Sequence, residues 1–160
     1  MEVHTSSFVD NAGSAVTFGE SGDFATTDEG MMHEGFVFAD NTITSTPSVY
    51  NGMVPITFGY VANCVIAHNY IEGAPYSALS MGWGWGRENS YSRNNTIIGN
   101  RINGTMQILN DGGSIYTLGP QGDDSRVTEN YITSQNGGGN CVYHDNGSSG
   151  FHTFKNVADM

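Results

Sequence analysis

One six-residue motif, recurring about every 30 residues along the chain, constrains the fold more than any other feature of the sequence. It reads apolar, two residues, Asn or Ser, one residue, apolar. Its copies are Val3, Ser6 and Phe8; Phe38, Asn41 and Ile43; Ile66, Asn69 and Ile71; Ile97, Asn100 and Ile102; and Val127, Asn130 and Ile132, with a degraded copy at Asn156. Successive polar markers lie 35, 28, 31, 30 and 26 residues apart, the range for one turn of a wide solenoid. A second motif follows: Ala15-Val16-Thr17-Phe18-Gly19, Pro55-Ile56-Thr57-Phe58-Gly59, Ala78-Leu79-Ser80-Met81-Gly82 and Ile115-Tyr116-Thr117-Leu118-Gly119. Its period-two alternation is that of a half-buried strand, with Gly where the chain turns. Stacked in parallel about 4.8 Å apart, these strands put Val16, Ile56, Leu79 and Tyr116 in an inward column and Thr17, Thr57, Ser80 and Thr117 in an outward one. The Asn markers form a third column, each side-chain amide bonding the next. A β-sandwich also spaces its strands regularly, but those strands have no reason to copy each other. The expectation is an all-β, right-handed parallel β-helix of five to six coils, each of 26–35 residues.

Size and charge narrow the function. A chain of 160 residues suits a single β-helix domain over 1–160. The formal net charge is −11, and the strong cations are Arg87, Arg93, Arg101, Arg126 and Lys155, so a phosphate backbone is repelled and nucleic acid is not expected as a partner. No run approaches the roughly 20 apolar residues of a membrane span, and no membrane partner is expected. The start lacks the basic and apolar segments of a signal peptide, so the chain is cytoplasmic or its leader lies outside it. Cys64 and Cys141 are expected as buried thiols rather than a disulfide framework.

In a solenoid most residues are scaffold, so segments that break the columns are candidates for function. The first break, Gly82-Trp83-Gly84-Trp85-Gly86-Arg87-Glu88, holds both tryptophans in a glycine-rich loop after a strand. Exposed indoles suit stacking on sugar rings, and Arg87 and Glu88 suit bonding to hydroxyls; the plainer account is that the indoles pack over a strand end. The second, Asn110-Asp111-Gly112-Gly113, is an acidic turn that backbone chemistry alone would explain. The third, Val142-Tyr143-His144-Asp145-Asn146-Gly147-Ser148-Ser149-Gly150, puts His and Asp where the fifth strand copy should carry Thr and an apolar residue. Burying them unpaired would cost several kcal/mol, so an exposed or paired site is expected, with capping by Asp145 as the structural alternative. The breaks fall in consecutive coils, and Gln121, Asp123 and Asp124 add to the same acidic, aromatic patch.

The runs HNYIEGAPYSALSMGWGWG (68–86), NDGGSIYTLGPQ (110–121) and YHDNGSSGF (143–151) resemble right-handed parallel β-helix carbohydrate-active proteins, the pectate-lyase-like superfamily. The likeness is nearest to the glycoside hydrolases of that fold that include α-L-fucosidases and xylanases. It implies secreted or periplasmic breakdown of a polysaccharide. Carried onto matching positions, it makes Asp111 and Asp145 the catalytic pair, with His144, Tyr116, Trp83 and Trp85 shaping the sugar site; His144 is expected among the catalytic groups, and Arg87, Glu88, Gln121 and Tyr143, from their places beside the breaks, as substrate contacts. By the strand register Asp111 precedes its strand and Asp145 ends its own. A turn folded back by Gly112 and Gly113 would bring them together; otherwise Asp145 pairs with Glu88, Asp123 or Asp124.

Members of that family are much longer, and nothing here reads as the polar cap a solenoid end needs, so a fragment or minimal version is expected, with end-to-end association through uncapped coils. Two rival classes remain. A polysaccharide lyase would need calcium to hold an anionic substrate, with either Asp23, Asp28 and Glu29 or Asp123 and Asp124 as oxygen ligands, although a solvated acidic loop accounts for them more simply; no other cofactor is expected. A non-catalytic solenoid would be an adhesin module or an ice-binding face on the Thr column, though Ser80 and His144 interrupt that column.

Overall fold

The computed structural model describes residues 1–22, 29–136 and 139–159. Among them the chain forms three parallel sheets and a single 3-10 turn, Glu29–Met31. The first sheet stacks Glu2–His4, Val37–Ala39, Val65–Ala67, Thr96–Ile98, Pro120–Thr128 and Ser149–Phe154. The second stacks Ser7–Val9, Thr42–Thr44, Tyr70–Glu72, Arg101–Asn103, Tyr131–Thr133 and Val157–Asp159. The third stacks Val16–Phe18, Ile56–Phe58, Leu79–Met81, Gly113–Thr117 and Asn140–His144. The chain visits the sheets in rotation and pairs each strand with its counterpart one repeat later, an arrangement that fits a parallel β-helix.

Strands this short have no stability of their own, so the stack must be held by its interior and its corners. Inside, Val3, Phe38, Ile66, Ile97 and Val127 lie in register along the first sheet, and Phe8, Ile43, Ile71, Ile102 and Ile132 along the second. Val16, Ile56, Leu79, Ile115 and Val142 do the same along the third. All three columns meet in one apolar cluster.

The corner between the first and second sheets carries the Asn markers. Asn41 Nδ2 donates to Asn69 Oδ1 at 3.1 Å, Asn69 to Asn100 at 2.9 Å, Asn100 to Asn130 at 3.0 Å and Asn130 to Asn156 at 2.9 Å. Each accepting Oδ1 also takes the backbone N–H of the marker below. Nδ2 of Asn69, Asn100 and Asn130 donates again to the carbonyls of Phe38, Ile66 and Ile97. Only an amide, with a two-lone-pair acceptor and two donors, serves all these bonds. The residue before each marker (Thr5, Asp40, His68, Gly99, Glu129 or Lys155) turns the chain with φ between 52° and 65°. A shorter ladder that the repeat did not announce runs from the Cys64 N–H to Asn95 Oδ1 at 3.0 Å, and from the Asn95 N–H to Ser125 Oγ at 3.1 Å.

Aligning the fourth strand on Gly119 misplaces it by one residue. Ile115 pairs with Leu79 and Tyr116 with Ser80, so Ile115 is the buried inward residue and Tyr116 stands outside. Leu118 is the cause: it is an extra buried residue between the strand and its glycine, and Thr117 takes the level of Met81. The outward column is therefore Thr17, Thr57, Ser80, Tyr116 and Tyr143, which interrupts the threonine array an ice-binding face would want at Tyr116. Cys64 is buried as expected, whereas Cys141 is only partly so; burial pushes both thiols above their ordinary range.

Candidate functional site

The outer face of the third sheet gathers most of the residues singled out above. Asp145 ends the strand Asn140–His144, and its backbone N–H is fixed on the Thr117 carbonyl at 3.0 Å. The Tyr116 hydroxyl, one repeat earlier, donates to Asp145 Oδ2. Burial first, then this bond and the Asp145 charge, hold the Tyr116 phenol far above its ordinary pKa of 10. Tyr143 stands edge-on to Tyr116, ring centroids 5.5 Å apart, and its phenol is raised chiefly by Asp145 and further by Asp111.

Asp111 sits in the acidic turn with φ 60°, and the Tyr76 hydroxyl donates to its backbone carbonyl at 2.7 Å. The Tyr76 ring lies on Gly112, where an added Cβ would come within 2.6 Å of it, so the glycine is demanded by the aromatic above it. Burial, then Asp111 and in smaller part Asp145, raise the Tyr76 phenol. The strand Gly113–Thr117 lies between the turn of Asp111 and the level of Asp145, so about 13 Å of strand, at 3.3 Å per residue step, separates the two. Between them Tyr76, Tyr116 and Tyr143 form a floor that feels both carboxylates. Tyr76 is the residue that sequence reasoning missed; its signal was its place in the coil before the two glycines.

The tryptophan loop adjoins this floor, since Gly147, in the turn after Asp145, packs on the Gly86 carbonyl with no room for a Cβ. The two indoles divide the expected alternatives. Trp83 is half-buried against the cluster of Tyr60, Ala62 and Tyr91, while Trp85 is 58% exposed. Arg87 and Glu88 are exposed beside them. Two cavities open here: one of about 350 Å³ over Tyr60, Trp83, Trp85 and Glu88, and one of about 280 Å³ over Thr17, Met53, Thr57, Ser80 and Trp83. They adjoin at Trp83, which lines both.

Two proposed site residues lie elsewhere. Gln121 is buried, and its Oε1 accepts from Asn95 Nδ2 at 2.8 Å and Ser125 Oγ at 3.3 Å, which ties that oxygen to the scaffold, while its Nε2 is buried without a hydrogen-bond partner. His144 alternates inward from Asp145 and Tyr143, into the column of Phe18, Phe58, Met81 and Thr117. Its Nδ1 meets Thr117 Oγ1 and its Nε2 meets Thr153 Oγ1, each at 2.7 Å, and its ring stacks on Phe151 at 5.2 Å. Burial of the ring lowers its pKa. It therefore ends a core column and does not join the tyrosine floor.

Among the described residues no three His, Cys, Asp or Glu side chains converge as a metal would require. Of the calcium candidates, Asp23 and Asp28 and the side chains of Glu29 and Asp123 lie outside the described residues, and Asp124 pairs with Arg126 at 3.5 Å.

No protein-family model matches the sequence, and no curated protein does. A solved structure described as "Glycoside hydrolase" superposes with a TM-score of 0.85 at 27% identity over 99% of this chain. The chain spans 31% of that protein's length.

Proposed function

We propose that the chain is a right-handed parallel β-helix of five to six coils, the hand that twisted parallel strands favour in their crossovers, and that the outer face of its third sheet binds and hydrolyses a polysaccharide. The observation that carries this reading is the Asp145 carboxylate, held by Tyr116 on a floor of tyrosines, with the loop of the exposed Trp85 packed on the turn that follows it. Rings of this kind stack on the apolar faces of sugars, and a fixed carboxylate beside them is what glycoside hydrolysis uses. One carboxylic acid protonates the leaving oxygen and a carboxylate attacks or activates water. Asp145 and Asp111 are the residues assigned to these roles. The likeness to a glycoside hydrolase supports the reading, and a polysaccharide substrate suits a secreted or periplasmic protein.

A second reading, a glycan-binding face without turnover, draws on the separation of the two aspartate backbones across the strand. Incubation with a panel of aryl glycosides, and with pectate plus calcium, separates the two. Turnover of a glycoside that disappears in both Asp111→Asn and Asp145→Asn is the expected result. Unsaturated, ultraviolet-absorbing products would mark a lyase instead, and saccharide binding that needs Trp85 without turnover would leave the binding face alone.

A further inference from the structure

The cavity of about 350 Å³ over the tryptophan loop has an unusual lining for a sugar site. Its walls are two indoles nearly at right angles, ring centroids 5.0 Å apart at 77°, with the Tyr60 phenol and the Glu88 carboxylate completing it. Trp83 is anchored on the Tyr60 and Tyr91 cluster, which fixes the corner, while Trp85 forms a solvent-facing wall. The glycines make this geometry. Gly84 has φ 90°, and a Cβ there would lie 2.6 Å from the Tyr60 hydroxyl oxygen. At Gly86 the space of a Cβ is taken by the Glu88 carboxylate, 1.8 Å from where that atom would sit, so the carboxylate folds back over the loop. The Glu88 charge also reaches the Tyr60 phenol across the cavity.

A neutral sugar can offer the Glu88 carboxylate hydroxyl donors, but a cation engages the carboxylate and the indole corner together. A corner of aromatic faces attracts a cation through the ring quadrupoles, and a carboxylate beside it neutralises the charge with a charge-assisted hydrogen bond. The formal charge of −11 draws cations towards the whole surface and repels uronates and sulfated sugars. Arg87, the next residue in sequence, does not line the cavity among the described residues, so the lining holds one charge and it is negative. We propose that this pocket binds a protonated amino group carried on a sugar ring, so that the glycan recognised here contains a basic amino sugar. The choice of a sugar as carrier rests on the proposed glycan face; the choice of an ammonium group rests on the pocket alone.

Both tryptophans of the chain line this pocket, and Trp83 also borders the neighbouring cavity, so intrinsic tryptophan fluorescence reports on these two adjoining cavities. The full chain would be titrated with a fully deacetylated chitosan oligosaccharide and with its N-acetylated counterpart. The amine form is expected to give a saturable change and to bind at least about tenfold more tightly than the acetylated form, the advantage shrinking as salt is added. Glu88→Gln should weaken the amine form about tenfold and erase most of its advantage over the acetylated form, since it removes charge from an exposed loop and nothing from the core. Equal binding of the two forms, no response to the amine form, or full affinity in Glu88→Gln would each overturn the proposal. A response to the acetylated form alone removes the ammonium pocket and keeps the glycan face. Amine binding without glycoside turnover keeps the pocket and removes the hydrolase.

Discussion

The asparagine corner and the outer face of the third sheet are columns of equal pitch on one scaffold, yet they are filled by opposite rules. At the corner Asn41, Asn69, Asn100 and Asn130 repeat one residue, because each amide is donor to one neighbour and acceptor from another, and all four are buried. On the outer face the residues pass from Thr17 and Thr57 through Ser80 to Tyr116 and Tyr143, because no bond along the column requires any one of them. A side chain bonded up and down the stack cannot vary alone. One that faces solvent can, and in this chain the change from hydroxyl to phenol coincides with the Asp145 carboxylate.

The contrast is broken most directly at the corner. Asn100→Ala should cost about 3 kcal/mol, since it orphans the buried N–H of Asn69 and one of its two Nδ2 protons and removes the bond to Asn130. The urea midpoint reads this, and a loss below about 1 kcal/mol would mean that the ladder is ornament. Tyr116→Phe should cost less, about 1 kcal/mol, for one hydrogen bond on a half-exposed face. The pH dependence sharpens that case. The folded chain raises the Tyr116 pKa above 10, so the protonated phenol is the favoured form; its contribution is complete below pH 10 and is lost as the pH climbs towards the folded value. Urea midpoints should accordingly fall more steeply above pH 10 in the parent than in Tyr116→Phe. Thr57→Ala, on the outer column two strands away, should stay within about 0.5 kcal/mol; a cost like that of Asn100 would erase the difference between the two regions.

The corner was legible because its motif is local: six residues carry the marker and both flanking core positions. The third-sheet face was legible only in part. Its strands are recognised by alternation, but alternation does not fix register, and anchoring the fourth copy on Gly119 turned Tyr116 inward because Leu118 lengthens that turn. The same slip hid the pairing of Tyr116 with Asp145. His144 and Gln121 looked functional because of where they fall in the repeat, yet their bonds run to the scaffold: His144 bonds the hydroxyls of Thr117 and Thr153, and the Gln121 oxygen accepts from Asn95. Tyr76 was missed because it bonds a backbone carbonyl, which has no sequence signature, and the two glycines one coil later read as an ordinary turn.

The positive-φ corners that precede the ladder offer a handle for engineering. Five of these six positions hold residues with a Cβ, in a conformation that disfavours one by about 1 kcal/mol. Asp40, Glu129 and Lys155 lie at the surface there, so replacing them with Asn or Gly would harden the molecule against heat without touching its interior. Gly99 allows no reverse exchange, because the His68 ring already occupies the space a Cβ would need, 2.5 Å away. Thermal tolerance in this chain is adjustable one repeat at a time, from outside, at a border that neither the apolar columns nor the tyrosine floor reaches.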